Sequence, residues 1–423
     1  MDVPLVLGVT LLVGGMISAG LTINAFLPIR AGRHLLLLSF VASALTIELA
    51  GHHLIWQAVA AAFLVYFGAL ESWPGWLGLA IGALSWVGLL VLVVQGTTSA
   101  RTMRDALEGV VTDWAGARVR RWWLLAPIPW RHRSVERVRD VEYAEVDGHR
   151  LCLDIYRPRE AGALRPAVLQ IHGGAWVMGD KRSQGVALLT HLAACGWVGF
   201  NVNYRLSPVA TFPDHLIDLK RALAWIREHA DRLGIDPGFV AVTGGSAGGH
   251  LAALMALTAN DPRYQPGFEQ ADTSVQAAVP FYGIYDFTNH LGTHPRVFFR
   301  LLERHVMKTS LDEEPERYRE ASPLDRVRAD APPFLIIHGD RDTLAPLADA
   351  RLFARELAAV SRSPVAYAEL RGAQHAFDIF VSPRSIPVIE AVERFLSAAS
   401  LMRGGLPAIA SAPHRSRTDS TSS

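Results

Sequence analysis

Six small residues, Gly244-Gly245-Ser246-Ala247-Gly248-Gly249, join two segments of different character. Phe239-Val240-Ala241-Val242-Thr243 before them reads as a buried strand, and His250 through Leu257 after them carries the apolar spacing of a helix. A strand that turns into a helix over so short a run holds its serine in strained backbone. A Cβ on either flanking residue would meet the neighbouring strand or helix, so glycine is required there. G-x-S-x-G in that setting lifts a serine hydroxyl above the end of a sheet.

The surrounding chain supplies the sheet. Val141–Val146, a tight turn at Asp147-Gly148, and Leu151–Tyr156 read as a β-hairpin. Ala167–Ile171 is a buried strand that runs into His172-Gly173-Gly174. Further strands are expected at Val198–Asn203, Ala277–Phe281, Phe334–His338 and Val365–Glu369, and helices at Ser183–Cys195, His215–Arg232, Asp349–Val360 and Arg384–Ala399. Strands alternating with helices predict an α/β domain over 135–400, a mostly parallel sheet flanked on both faces.

A serine hydroxyl becomes a useful nucleophile only when a base takes its proton, and that base is best a histidine held in one tautomer by a carboxylate. Two post-strand loops offer these groups. His338-Gly339-Asp340-Arg341-Asp342 contains the acid and Gly372-Ala373-Gln374-His375 the base. The candidate catalytic residues are therefore Ser246, Asp342 and His375. Asp342 is preferred to Asp340, which is expected to support the turn. Developing negative charge on a substrate oxygen needs preorganised N–H donors. Ala247 supplies one, Gly174 and Ala175 the others, and Gly173 sets the loop, while His172 and Trp176 are expected to shape the loop and pocket. No metal or cofactor is called for.

The first hundred residues differ. Val3–Ile29 carries no charged side chain and is long enough to cross a bilayer. Leu35–Leu70 is again apolar and reads as two short helices, or as one tilted helix and a re-entrant piece. Gly75–Val94 is a further span. Residues 1–97 thus predict three or four transmembrane helices. Arg30, Arg33, Arg101 and Arg104 would face the cytoplasm, which leans the globular body to that side. Glu48 and His52, one helical turn apart beside Gly51, are expected at an interfacial turn where they meet water. Residues 98–134 read as an interfacial connector, with Arg120, Arg121, Arg131 and Arg133 among Trp122, Trp123 and Trp130. The Ser/Pro/Arg-rich tail, 401–423, is expected to be disordered.

A net charge of +1 gives no reason to expect a nucleic-acid partner. Only Lys181, Lys220 and Lys308 are lysines, so arginine supplies nearly all positive charge. Cys152 and Cys195 define neither a disulfide framework nor a metal site.

His172-Gly173-Gly174-Ala175-Trp176, Asn203-Tyr204-Arg205-Leu206-Ser207-Pro208, the serine motif and the Asp342 and His375 loops together resemble the α/β-hydrolase fold esterases, in particular the hormone-sensitive-lipase-like group. The resemblance covers roughly residues 135–399. With apolar helices ahead of it, the whole looks like the membrane-bound carboxylesterases of mycobacteria and related actinobacteria. It implies a membrane-anchored serine carboxylesterase or lipase acting on small-molecule or lipid esters. Departures at Ala175, Gly245 and Asn203 shift the likeness towards feruloyl- or acetyl-esterase and arylformamidase relatives. Amide or N-formyl hydrolysis is thus an alternative, and an inactive membrane scaffold is another. The insertion over 288–325, with Phe298, Phe299, Leu301 and Leu302, is expected to form a lid helix over an acyl pocket lined by Trp176, Tyr285 and Phe298.

Overall fold

The computed structural model describes residues 2–30, 32–111, 114, 124, 127–128, 132–160 and 162–402. Most of the expected basic and aromatic connector, and the tail from residue 403, lie outside the described residues.

The apolar front folds into four helices: α1 (Val3–Phe26), α2 (Arg33–Glu48), α3 (Ala50–Tyr66) and α4 (Trp73–Thr97). Prolines at the starts of α1 and α4 occupy first-turn positions that have no intrahelical acceptor. α1 and α4 run parallel and close. A Cβ on Gly15 would stand 2.6 Å from the Gly78 carbonyl oxygen, and one on Gly88 2.5 Å from the Thr22 methyl. Small residues at these positions let the two helix backbones approach closely. Ser18 donates to Gln57 Oε1 (2.6 Å) and pairs with Ser85, which ties α1, α3 and α4 together by polar contacts. α1 and α4 are each long and apolar enough to cross a membrane. α2 and α3 meet at an 84° bend. Leu35–Leu70 is thus two helices, the first of which lies across the end of the bundle.

The globular body follows. α5 (Ser99–Ala106) continues from α4 and seats Met103 and Leu107 in the body's core, so the expected connector begins as a helix. An eight-stranded sheet has the order β1-β2-β4-β3-β5-β6-β7-β8. Its strands are β1 (Val135–Val146), β2 (His149–Pro158), β3 (Arg165–Ile171), β4 (Val198–Val202), β5 (Ile235–Gly245), β6 (Ala278–Phe281), β7 (Phe334–Gly339) and β8 (Val365–Leu370). β1–β2 and β2–β4 are antiparallel, and every later pairing is parallel. The inner strands are buried along their lengths, as a sheet covered on both faces requires.

The covering helices are α6 (Val186–Ala194), α7 (Asp214–Glu228), α8 (Ala230–Leu233), α9 (Ala247–Leu257), α10 (Arg296–Leu301), α11 (Pro315–Ala321), α12 (Leu347–Val360) and α13 (Ser385–Met402). The insertion over 288–325 does not form the single lid helix expected of it. It breaks into α10, a π turn at Leu302–Val306, α11 and a 3-10 turn. Leu302 and Val306 are buried in the main core. Cys152 and Cys195 are free thiols.

Candidate active site

β5 ends at Gly245, and Ser246 follows at φ 59°, ψ −121°, in the left-handed half of backbone space that a non-glycine residue adopts only under constraint. The constraint is local. The Ser246 N–H donates to the Phe281 carbonyl (3.0 Å) and its own carbonyl accepts from His250 N–H (3.0 Å). A Cβ on Gly248 would stand 2.2 Å from the Ile171 carbonyl oxygen, so α9 can press against β3 only with glycine there. The serine is half-buried, and its hydroxyl bonds to no group among the described residues.

The β3–α6 loop approaches the serine from one side, where a Cβ on Gly173 would lie 3.0 Å from the Ser246 Cβ. Gly173 N–H is taken by Gln184 Oε1 (2.7 Å), a residue the sequence did not single out. The N–H groups of Gly174 and Ala175 have no acceptor among the described residues, and Ala247 opens α9, where an N–H has no intrahelical partner. Gly174 has φ 122° and room for no side chain, since a Cβ would stand 2.0 Å from the Met178 carbonyl oxygen. His172 stacks on Tyr204 (centroids 4.6 Å, 15°), its Nδ1 lies 2.9 Å from the Gly173 carbonyl, and burial lowers its pKa. It therefore shapes the loop as a neutral ring.

The acid and base loops lie beyond β7 and β8. His375 Nδ1 is 2.7 Å from Asp342 Oδ2. The other oxygen, Oδ1, accepts the N–H groups of Leu344 and Ala345, each at 2.8 Å. Burial pushes the Asp342 carboxyl up, but the attraction of His375 and these hydrogen bonds outweigh it, so the carboxyl sits below its ordinary value. Asp340 instead accepts Gly372 N–H (2.6 Å) and ties the two loops at their bases. Gln374 Oε1 accepts from Thr343 N–H (2.9 Å) and from His375 N–H (2.9 Å), a second tie between them.

Tyr282, also not anticipated, fills the space between serine and histidine loops. Its ring lies 4.6 Å from the His375 ring, its hydroxyl binds Asp378, and a Cβ on Gly245 would stand 2.6 Å from that hydroxyl. Gly245 is thus small because Tyr282 is there. An aromatic directly after a buried strand, in Phe281-Tyr282-Gly283, was the available signal.

Two expected pocket residues are core residues instead. Trp176 is 2% exposed, donates to His250 Nδ1 (3.2 Å) and meets Phe287 edge-on. Tyr285 is fully buried and stacks on Phe353 (4.6 Å, 10°). Large aromatic faces so placed contribute packing, not a wall. Phe298 is half-buried and stacks on His294 (4.4 Å).

The apolar front reaches this site. The Phe40 ring of α2 stands edge-on to His375 (6.1 Å, 71°), and Gln374 Nε2 donates to Ser43 Oγ (2.9 Å). Glu48 does not meet water at a turn. Its carboxylate accepts from Arg384 Nε (2.9 Å) and the Ser382 hydroxyl (2.7 Å), deep between bundle and body. A helix that breaks at residue 49 cannot satisfy a carboxylate itself, and the arginine of a distant loop does so.

A sheet of this topology, with a serine elbow after β5 and an acid–histidine pair after β7 and β8, defines an α/β-hydrolase esterase. The BD-FAE family matches residues 153–357. "Probable carboxylic ester hydrolase LipM" of Mycobacterium tuberculosis is 45% identical over 331 residues, 75% of this chain and 77% of that protein. Esterase LipQ of the same organism is 44% identical over 275 residues, 64% of this chain and 65% of that protein. The solved structure of Est2, a thermophilic esterase from the Planctomycetes species Thermogutta terrifontis, is similar at TM-score 0.54 and 26% identity, over 67% of this chain and 96% of that one. A truncated carbohydrate esterase from gut microbiota shares the fold at TM-score 0.55 and 24% identity, over 63% of this chain and 96% of that one. The chain belongs to the α/β-hydrolase carboxylesterase family of these mycobacterial proteins, and it is a carboxylic ester hydrolase.

Proposed function

We propose that the protein is a membrane-anchored serine carboxylesterase whose acyl-enzyme forms on Ser246. The His375–Asp342 pair at 2.7 Å, in loops beside the serine elbow, is the observation that carries this reading. With Nδ1 bound to the carboxylate, Nε2 is the free basic atom of the imidazole. It takes the proton of the Ser246 hydroxyl as the oxygen attacks the ester carbonyl. The carbonyl oxygen then carries the negative charge and receives hydrogen bonds from the Gly174, Ala175 and Ala247 N–H groups. The imidazolium returns its proton to the departing alkoxide, leaving the acyl group on the serine. Water repeats the sequence, giving the acid and the free hydroxyl. The free serine hydroxyl of the structure is consistent with hydrogen bonds that tighten only when substrate is bound.

The anchor is read as three crossings, α1, α3 and α4, with α2 lying across the end next to the catalytic body. Arg341 donates to the Ala25 carbonyl (3.2 Å) and Gly96 adjoins Pro383, so the C-terminal ends of α1 and α4 both abut that body. Arg30, Arg101 and Arg104 lie at that same end, which favours a cytoplasmic catalytic body.

Ser246→Ala in the full-length protein tests the mechanism. Turnover of p-nitrophenyl acetate and covalent labelling by a fluorophosphonate should both disappear. Turnover retained by the variant would refute the assignment.

A further inference from the structure

We propose that α2 forms a wall of the ester-binding site, that Phe40 on it determines which acyl groups fit, and that the substrates are amphiphilic esters entering from the bilayer beside this helix. The inference rests on the serine-esterase reading and specifies the substrate class of that same site.

The two faces of α2 carry the argument. Towards the body and bundle, Ser39, Ser43, Thr46, Ile47 and Glu48 are all buried. Each polar one is engaged: Ser39 with Asn24 (2.5 Å), Ser43 with Gln374, Thr46 with the Ala42 carbonyl (2.8 Å), and Glu48 with Arg384 and Ser382. On the other face Leu35, Leu38, Val41 and Leu45 are exposed, Leu38 at 69%. These recur at three- and four-residue intervals, so they form one stripe. An exposed aliphatic stripe of this kind needs an occupant. Lipid is the occupant the structure supports. α1 and α3 likewise expose apolar side chains, among them Val13, Ile17, Ile55, Val59 and Phe63, and α2 bends 84° away from α3. A helix that is apolar outward and turned across the bundle end lies in the boundary layer of a membrane.

The same helix touches the reacting centre. Phe40 stands edge-on to His375, whose Nδ1 is occupied by Asp342. An ester whose oxygens reach His375 and Ser246 therefore passes close to the Phe40 ring. The other aromatic neighbour of the imidazole among the described residues, Tyr282, is buried and fixed through Asp378, whereas Phe40 is half-buried. Phe40 is thus the aromatic that a substrate can rest against. An ester with a long apolar chain already dissolves in lipid, and α2 carries both the exposed aliphatic stripe and the ring beside the imidazole.

The test uses the full-length protein in phosphatidylcholine–phosphatidylglycerol nanodiscs, with rates normalised to sites titrated by a fluorophosphonate. The kcat/KM ratio for p-nitrophenyl laurate over p-nitrophenyl acetate is measured. Phe40→Ala and Phe40→Trp should move this ratio roughly fivefold or more, in opposite directions, as size changes in an apolar site do. Leu38→Glu, on the lipid face, should lower laurate turnover by a similar factor and leave acetate turnover unchanged. An unchanged ratio in both Phe40 variants overturns the wall. Equal loss of both substrates in Leu38→Glu, or loss of neither, overturns entry from the bilayer. Failure of the Ser246→Ala control would instead sink the serine-esterase reading.

Discussion

The Glu48 carboxylate and the Arg384 guanidinium meet at 2.9 Å with both side chains only 2% exposed. One ends a helix of the apolar front and the other immediately precedes α13, after the histidine loop. Arg384 also donates to the carbonyls of Arg371 (2.6 Å) and Gly372 (3.2 Å), and its own carbonyl accepts from the Ser99 hydroxyl (3.1 Å). The loop that carries His375 is therefore clamped to the apolar N-terminal helices at its base as well as along its length.

Removing one partner of a buried ion pair leaves the other charge unpaired, which costs more than the pair contributes. Glu48→Ala should destabilise the protein by about 3 kcal/mol. Replacing both partners, Glu48→Leu with Arg384→Met, should recover only part of that loss, because the Arg371 and Gly372 carbonyls lose their Arg384 donors as well. Denaturation midpoints of the full-length protein in detergent would check this. A double variant no more stable than Glu48→Ala would contradict it.

Asp342 and Asp340 lie two residues apart and have separate tasks. Asp342→Asn should lower kcat by about 10⁴-fold, because the amide stabilises the wrong imidazole tautomer. Asp340→Asn keeps an oxygen acceptor for Gly372 N–H and should change kcat little. Steady-state kinetics on p-nitrophenyl acetate would separate them, and equal effects would contradict the geometry.

Gly174→Ala meets the Met178 carbonyl at 2.0 Å and a φ of 122°, so the loop must shift. Displacing its N–H donors should cost about 10²-fold in kcat. Folding should survive, because Gly173 remains anchored by Gln184. A variant with full kcat would remove this loop from the oxyanion site.

His250 is buried between Trp176 Nε1 (3.2 Å) and the Ala321 carbonyl (2.7 Å). Burial lowers its pKa from 6.5 to about 3, with the Ala321 hydrogen bond opposing the shift. The unfolded chain binds this proton near pH 6.5 and the folded chain does not, so the unfolded state holds more protons between those values. Stability contributed by neutral His250 is complete above pH 6.5 and is lost as pH falls towards about 3. His250→Gln should flatten this acid limb. Unfolding midpoints measured across that range would show an unchanged slope if the histidine were not the cause.

Much of the site was legible because its parts are local. The serine elbow needs glycines where strand and helix touch, and the Asp342 and His375 loops each follow a strand that hydrophobic pattern alone marks. The choice between Asp340 and Asp342 also followed from position, since the first residue past a strand is held by the turn. The pocket was less legible. Trp176 and Tyr285 are aromatics near the loops, and sequence cannot tell an aromatic that lines a cavity from one that fills a core.

The alternating strand and helix pattern, the serine turn and the apolar front are set locally, because each depends on backbone sterics and side-chain periodicity over a few residues. Long-range packing, by contrast, turns α2 across the bundle end, pairs Glu48 with Arg384 and sets Phe40 beside His375. Those contacts join residues more than three hundred positions apart. Burial and charge pairing choose such partners from many chemically equivalent ones, and no local pattern records the choice.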